Sequence, residues 1–533
     1  MNTTHQEHAA LQIDDEDIEV VEVSGREGLS ELFRFDIICR SDRSDHTLSD
    51  WMGAAATLTL HDGFGGQRLI TGVISEAKSR LSDDGSAELH FTLRPSVYPQ
   101  SLGSDCRVFQ DQTVVDIAKA VLQDHQGPVR YELVETYPEH VYIAQYREDD
   151  WTFLSRRLED EGIYYWFDHA KDSALVFYDA SVGAPELDGG AEIRFAYEAG
   201  MVGKGEIIEE LGSHVAAAPQ LFTVASFNAD RPDEKVTASV GEGLYEIYEA
   251  PGGGPETSAA CERSATVMRE AAIAAAAGVT GQSSSVRLVP GRVVTVADHP
   301  VSRYDGDFLI TSVRYQIVQR RRGDDTSAAR PYTCWFTAIP RDTSYRAPFD
   351  TPRARQAGLQ SGAVAGAVGE EIDIDPSGRI RVQLHWDREG KRDDKAGKWM
   401  RVAQRGTASS MLLPRIGWNV MTINSEGSVD APSVLNRVHD AEHPPAYKLP
   451  ENKTRVVYKT ATTPGAGSFN EIYFEDSKGA EVMFMNASRD MQMLTQQDKS
   501  VGIGNDMSRS VGNNHDLKVD GDWHATVAND QTV

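Results

Sequence analysis

IGNDMSRS (503–510), VGNNHDLK (511–518), VDGDWHAT (519–526) and VANDQTV (527–533) close the chain as near-copies of one eight-residue unit. Ile503, Val511, Val519 and Val527 keep one phase, and Asp490, Asp498, Asp506, Asn514, Asp522 and Asp530 keep another. Eight is a multiple of the strand period of two, so the aliphatic returns to the same face in every unit, whereas a helix would turn its stripe by about 80° each time. The units therefore read as short strands, with Asn-Asp, Asn-Asn and Gly-Asp pairs at the corners. One unit buries too little to stand alone: each buried aliphatic recovers about 1.5 to 3 kcal/mol, against about 1 to 2 kcal/mol of backbone entropy for every residue ordered. Stacked repeats share a core, and three chains wound together leave no free sheet edge. A solvated low-complexity tail would not hold aliphatics at a single octad position. The needle core is expected at Ile503, Val511, Val519 and Val527.

Moving outward from this tail, 533 residues allow about three or four domains. With 40% hydrophobic residues and a mean hydropathy of −0.42, no apolar run reaches the ~20 residues of a membrane span. The opening MNTTHQEHAA has neither a basic flank nor an apolar core, so no secretory signal is expected. A net charge of −28 argues against nucleic acid as a partner and suits a large soluble assembly. Cys39, Cys106, Cys261 and Cys334 are scattered, which indicates reduced thiols rather than a zinc site or a disulfide framework.

LFRFDIICR (32–40), ATLTLHDGFGG (56–66), RLITGVISEAKSR (68–80) and AELHFTLRP (87–95) form a meander of strands and turns. Gly63, Gly65 and Gly66 read as a hairpin turn, since no helix follows to make a phosphate loop. Three helices are expected: over 113–124 with Thr113 as cap, after Asp149 or Asp150 up to Gly162, and over 256–277 ended by Gly278. Glu159, Asp160 and Glu161 are consecutive, so a helix points them in different directions and they make no acid/base pair.

RVFQDQTVVDIAKAVL (107–122) and QYREDDWTFLSRRLEDEGIYYWFDH (145–169) closely resemble VgrG, the spike protein family of type VI secretion systems, itself related to hub and spike proteins of contractile phage tails. The resemblance implies a hub of two β-barrel-like parts, over residues 1–350, that trimerises into a ring. DPSGRIRVQLHWDREG (375–390) and LPRIGWNV (413–420) resemble the family's oligonucleotide/oligosaccharide-binding (OB) fold, placing a small barrel at 351–445. HDAEHPPAYKLPENKT (439–454) and FNEIYFEDSKGAEV (469–482) resemble its neck, at 446–486, ahead of the needle at 487–533. Two departures stand out: GSVDAP (427–432) where the family has an acidic Gly/Pro segment, and Asn436 at a Gly-like position, where Asn suits left-handed backbone better than most residues. Met507, His515 and Trp523 also occupy the fifth octad position, and Val533 leaves its octad one residue short, so the natural chain is expected to continue.

The expected fold is thus mainly β with a few helices: a trimeric hub, an OB barrel and a C-terminal intertwined triple-stranded β-helix. His439 and His443 stand four apart, but the prolines that follow break a helix that would present both to a metal. No GxSxG, HExxH or P-loop is present, so no catalytic, cofactor or metal site is expected. By resemblance the function is a homotrimeric spike that caps an inner tube of Hcp, carries a PAAR-type cap or effector at its tip, and is assembled in the cytoplasm before export. The alternatives are the spike of a phage tail or extracellular contractile particle, and a spike with an enzymatic domain beyond this sequence.

Overall fold

The computed structural model describes residues 8–61, 66–81, 85–170, 173–197, 205–250, 254, 256–319, 332–406, 410–465 and 467–532. The chain divides into two units, Met1–Pro444 and Pro445–Val533.

The first unit opens with β1 Ala9–Ile13, β2 Glu16–Gly28, β3 Glu31–Ser41, β4 Ala55–His61, β5 Gln67–Leu81 and β6 Ala87–Arg94, in the order β1-β4-β5-β6-β3-β2, closed by β1–β2 pairing. Alternation drives this ring, since Phe33, Phe35, Ile37 and Cys39 of β3 all point inward and are buried. The expected Gly63–Gly65 turn lies largely outside the described residues, but its flanks pair antiparallel with His61 opposite Gln67. An α+β segment follows: β7 Asp105–Phe109, α1 Val114–Val121, β8 Val129–Glu132, β9 Ile143–Glu148, α2 Asp150–Glu161, β10 Tyr164–Asp168 and β11 Ala174–Tyr178. Thr113 caps α1 in a reciprocal capping box with Asp116, but the helix stops at Val121 rather than running to Asp124, because Leu122 already leaves helical geometry.

A second ring comprises β12 Glu192–Phe195, β13 Ile207–Val215, β17 Ala277–Ser283, β18 Val293–Ala297, β19 Gly306–Val318 and β20 Tyr332–Pro340. Between β13 and β17 lie β14 Leu221–Ser226, β15 Val236–Gly241, β16 Glu246–Glu249 and α3 Ser258–Ala276, with α3 packed on the small sheet β15-β14-β16 through Cys261 and Ala265. Gly278 does not end α3 as expected. The backbone turns extended at Ala277 and becomes β17 directly, because pairing of β17 with β13 and β20 claims it. The ring order is β19-β18-β12-β13-β17-β20, closed by β19–β20 pairing, and β2 pairs with β19 to fuse the two rings.

A buried polar chain crosses that junction. Arg68 donates to Glu27 at 2.5 Å and to the Tyr315 hydroxyl at 2.7 Å, and Tyr315 donates to the Leu288 carbonyl at 3.0 Å. Burial would raise the Glu27 carboxyl, but Arg68 and His169 beside it together hold it down at about 2. Gly25 sits opposite Tyr315, and a Cβ there would lie 2.1 Å from the Phe35 ring that stacks on Tyr315 at 5.6 Å.

β21 Gln360–Ala365, β22 Ile380–Leu384, β23 Trp399–Met400, β24 Asn419–Asn424 and β25 Pro432–Arg437 form a five-stranded sheet around Val364, Ile380, Val382, Met400, Val420 and Val434. Asn436 lies in β25 opposite Met421, beside a register shift, and takes no positive φ, so the left-handed backbone that Asn tolerates is not used there. The second unit contains β26 Arg455–Lys459, β27 Glu471–Glu475 and β28 Val482–Asn486 as one antiparallel sheet. Among the described residues no helix is long and apolar enough to cross a membrane.

Candidate functional site: an uncovered sheet face, the octads and the hub-to-barrel joint

The sheet of the second unit has two unlike faces. Val456 lies opposite Phe474, Tyr458 opposite Ile472, Ile472 opposite Met485 and Phe474 opposite Met483, so alternation puts all six on one side. Every one of the six is exposed, Tyr458 to 68% and Met483 to 64%. The other side is covered by its own chain only near Tyr447, where Arg455 stacks on Tyr447 and Tyr473 at 4.3 and 4.4 Å and Tyr447 donates to buried Glu471 at 2.6 Å, while Val482 and Phe484 at its far strand stay exposed. A three-stranded sheet with one wholly apolar face in water is marginal alone, and such a patch marks an interface.

Past Asn486, among the described residues, the chain forms no helix or strand and no backbone–backbone hydrogen bond to itself. Ile503, Val511, Val519 and Val527 are 48%, 46%, 44% and 51% exposed and join no packed cluster of the chain, while Met507, Leu517 and Trp523 reach 64% or more. A strand without an intrachain partner needs another chain for its ladder.

In the first unit, α2 joins the hub to the small barrel. Asp149 is its cap, accepting from the Thr152 N–H at 2.8 Å, and Gly162 ends it at φ 73°. Its three consecutive acids diverge as expected: Glu159 accepts from the Thr351 hydroxyl, Asp160 from Arg353 at 2.7 Å, and Glu161 meets His140 at 3.0 Å and Arg263 at 3.3 Å. Arg156 donates to Glu148 and to the Ala144 carbonyl, and Arg157 donates to Asp430 of the barrel, which also accepts from the Ala144 N–H at 2.8 Å. Burial would raise the Asp430 carboxyl, but Arg157 and Arg156 hold it below the usual carboxylate range. Sequence reasoning missed this joint, although GSVDAP already marked the Asp430 segment. It missed the uncovered face too, which the alternation in RVVYK, EIYFE and VMFMN signals.

Burial pushes Glu159 up to about 7 despite the bond from Thr351. Folding therefore takes up a proton between the ordinary value of 4.5 and about 7, and stability falls as pH rises through that window. Glu159→Gln, which keeps an acceptor for Thr351, is expected to flatten that fall by about 1 to 3 kcal/mol, read from melting temperature against pH. His439 Nδ1 lies 3.2 Å from the His443 carbonyl, and among the described residues no group of three or more His, Cys, Asp or Glu is placed to hold a metal.

Comparison with known proteins bears on both units. The family described as phage tail baseplate hub (GPD) matches residues 26–320, and that described as bacteriophage T4 gp5 C-terminal trimerisation domain matches residues 456–533, the uncovered sheet and the octads. Type VI secretion system spike proteins VgrG4b and VgrG5 of Pseudomonas aeruginosa are 30% and 31% identical over 96% and 95% of the chain, which spans 66% and 67% of their lengths, about two-thirds. A Vibrio cholerae protein named actin cross-linking toxin VgrG1 is 27% identical over 98% of the chain, which spans 48% of it. An E. coli component of the type VI secretion system, described as structurally similar to T4 tail proteins gp27 and gp5, superposes with a TM-score of 0.59 at 23% identity, covering 80% of this chain and 99% of its own. With hub and trimerisation families matched in succession along one mainly β chain, and spike relatives aligned along almost all of this chain, the protein belongs to the VgrG family of type VI secretion spike proteins.

Proposed function

We propose that three copies assemble into a spike whose hub caps an inner tube and whose needle is driven through a target envelope when a sheath contracts. The apolar face of the β26–β28 sheet carries this reading: six exposed side chains precede octads that, among the described residues, have no ladder partner in their own chain. Three copies cover that face with itself, and the positions 503, 511, 519 and 527 then form the needle core. Strands wound between chains spread axial load over many backbone hydrogen bonds. The joint at α2 carries that load from hub to barrel through Arg157–Asp430.

By family resemblance the tube protein is Hcp-like, the tip receives a PAAR-type protein or an effector, and the spike assembles in the cytoplasm and leaves through the contractile machine. The chain is read as delivery structure rather than enzyme, since the three consecutive acids of α2 are each committed to a hydroxyl or a guanidinium. Light scattering on the intact chain is expected to give a mass near three times 58.6 kDa. A monomer would end the spike reading. Neighbouring genes for a membrane complex would separate a secretion spike from that of a phage tail or extracellular particle.

A further inference from the structure

The excursion that interrupts the second ring, β14 to β16 with α3, leaves one of its strands uncovered. Its sheet has the order β15-β14-β16 with β14 and β16 parallel, so among the described residues β16 Glu246–Glu249 is an open edge. The helix does not shelter it. The cluster beneath α3 takes Phe222 and Val224 from β14 and Val236, Ala238 and Val240 from β15, and nothing from β16. Every residue from 242 to 250 is exposed, with Leu244 at 93%, Tyr245 at 65% and Tyr248 at 62%. Ile247 lies opposite buried Phe222 yet is itself 37% exposed. An apolar strand edge left bare in this way is a template for another strand.

The backbone of β16 presents that edge in a definite phase. The Tyr245 carbonyl accepts from the Gln220 and Leu221 N–H groups at 3.0 and 3.3 Å, so Tyr245 faces β14. Alternate residues of a parallel strand bond the same neighbour, which turns the N–H and C=O groups of Glu246 and Tyr248 outward. Side chains alternate too: Glu246 and Tyr248 stand on one side of the sheet, and Tyr245, Ile247 and Glu249 on the other. No ion pair or side-chain hydrogen bond engages Glu242, Glu246 or Glu249 among the described residues.

We propose that the outer edge of β16 is a docking site for an extended segment of another protein that alternates Lys or Arg with aliphatic residues. Added as a fourth strand, that segment bonds the outward groups of Glu246 and Tyr248, sets its cations beside Glu246 and lays its aliphatics beside Tyr245 and Ile247. Charge selects the occupant. A second copy of this chain would bring a net charge of −28 toward three unpaired carboxylates, whereas a basic strand neutralises them. A purely aliphatic strand would cover the tyrosines and Ile247 but desolvate the carboxylates without a partner.

The test uses the full-length chain and a fluorescent synthetic heptapeptide of alternating lysine and valine, read by anisotropy at physiological salt. Saturation at one peptide per chain is expected. The same peptide N-methylated throughout keeps its charge but cannot build a ladder, and is expected to bind about tenfold more weakly. Tyr248→Pro removes only an outward N–H, and Glu246→Lys reverses the charge at the seam; each is expected to weaken the unmodified peptide by a similar factor. A peptide that does not bind, or binds equally well after N-methylation, ends the proposal, because the attraction is then absent or is charge alone. Light scattering on Tyr248→Pro is expected to give the mass of the natural chain's assembly. A folded variant of lower mass would make a second copy the occupant and would equally overturn the proposal.

Discussion

Val519→Asp is expected to leave the hub folded and abolish the trimer, with light scattering falling from three chains to one. In the single chain Val519 is 44% exposed and touches no packed cluster, so the substitution costs an isolated chain almost nothing. In the wound needle it places three carboxylates around one axis in an apolar layer. The cheapest escape is protonation, which at pH 7 costs about 4 kcal/mol for each group of ordinary pKa near 3.9, or about 12 kcal/mol for the trimer. Loss of three valines from the core adds about 1.5 to 3 kcal/mol apiece. Two further results follow from the same argument. The variant is expected to regain trimer as pH falls toward 4, where the protonation term vanishes, and Ser508→Asp, on the polar face of the octad, is expected to change little. If Val519→Asp remained a trimer at neutral pH, the four in-phase aliphatics would not be the needle core. Val511→Asp is the replicate one layer away.

The period of the tail was legible because it is local: eight residues, one aliphatic, one phase. Helix positions were legible for the same reason, with Thr113, Asp149 and Gly162 acting as punctuation within a turn of where they were read. Ring closure was not, because it depends on strands far apart in sequence, such as β2 with β19, and because β14–β16 and α3 interrupt the second ring between its second and third strands. The fate of Gly278 shows the same limit: a residue that could end a helix was overruled by a ladder formed with β13 and β20. The three acids of α2 were correctly read as divergent, yet their partners Thr351, Arg353 and Arg263 lie about a hundred or more residues away, beyond the reach of any local pattern.

Asp430→Ala is expected to destabilise the hub-and-barrel unit by about 3 to 5 kcal/mol while sparing the trimer, because it strands a buried charge rather than removing a surface pair. Arg157 is only 12% exposed and would keep only the longer contact to Asp160 at 3.6 Å, and the Ala144 N–H would lose its acceptor. Arg157→Ala is expected to cost a similar amount by the mirror argument. The double variant should then fall well short of the sum, since the second truncation removes the group that the first deprived of its main partner. Calorimetry on the four proteins reads that coupling directly, and simple additivity would show that the contact does not join the two parts. The pH dependence carries its own sign: a carboxyl held below its ordinary pKa contributes fully above the unfolded value and loses that contribution as pH falls through the folded one. The difference between the natural chain and Asp430→Ala is therefore expected to be constant near neutrality and to close only in acid. Protease cutting near residues 351–359 in the variant would place the weakness at the strap through which α2 holds the barrel.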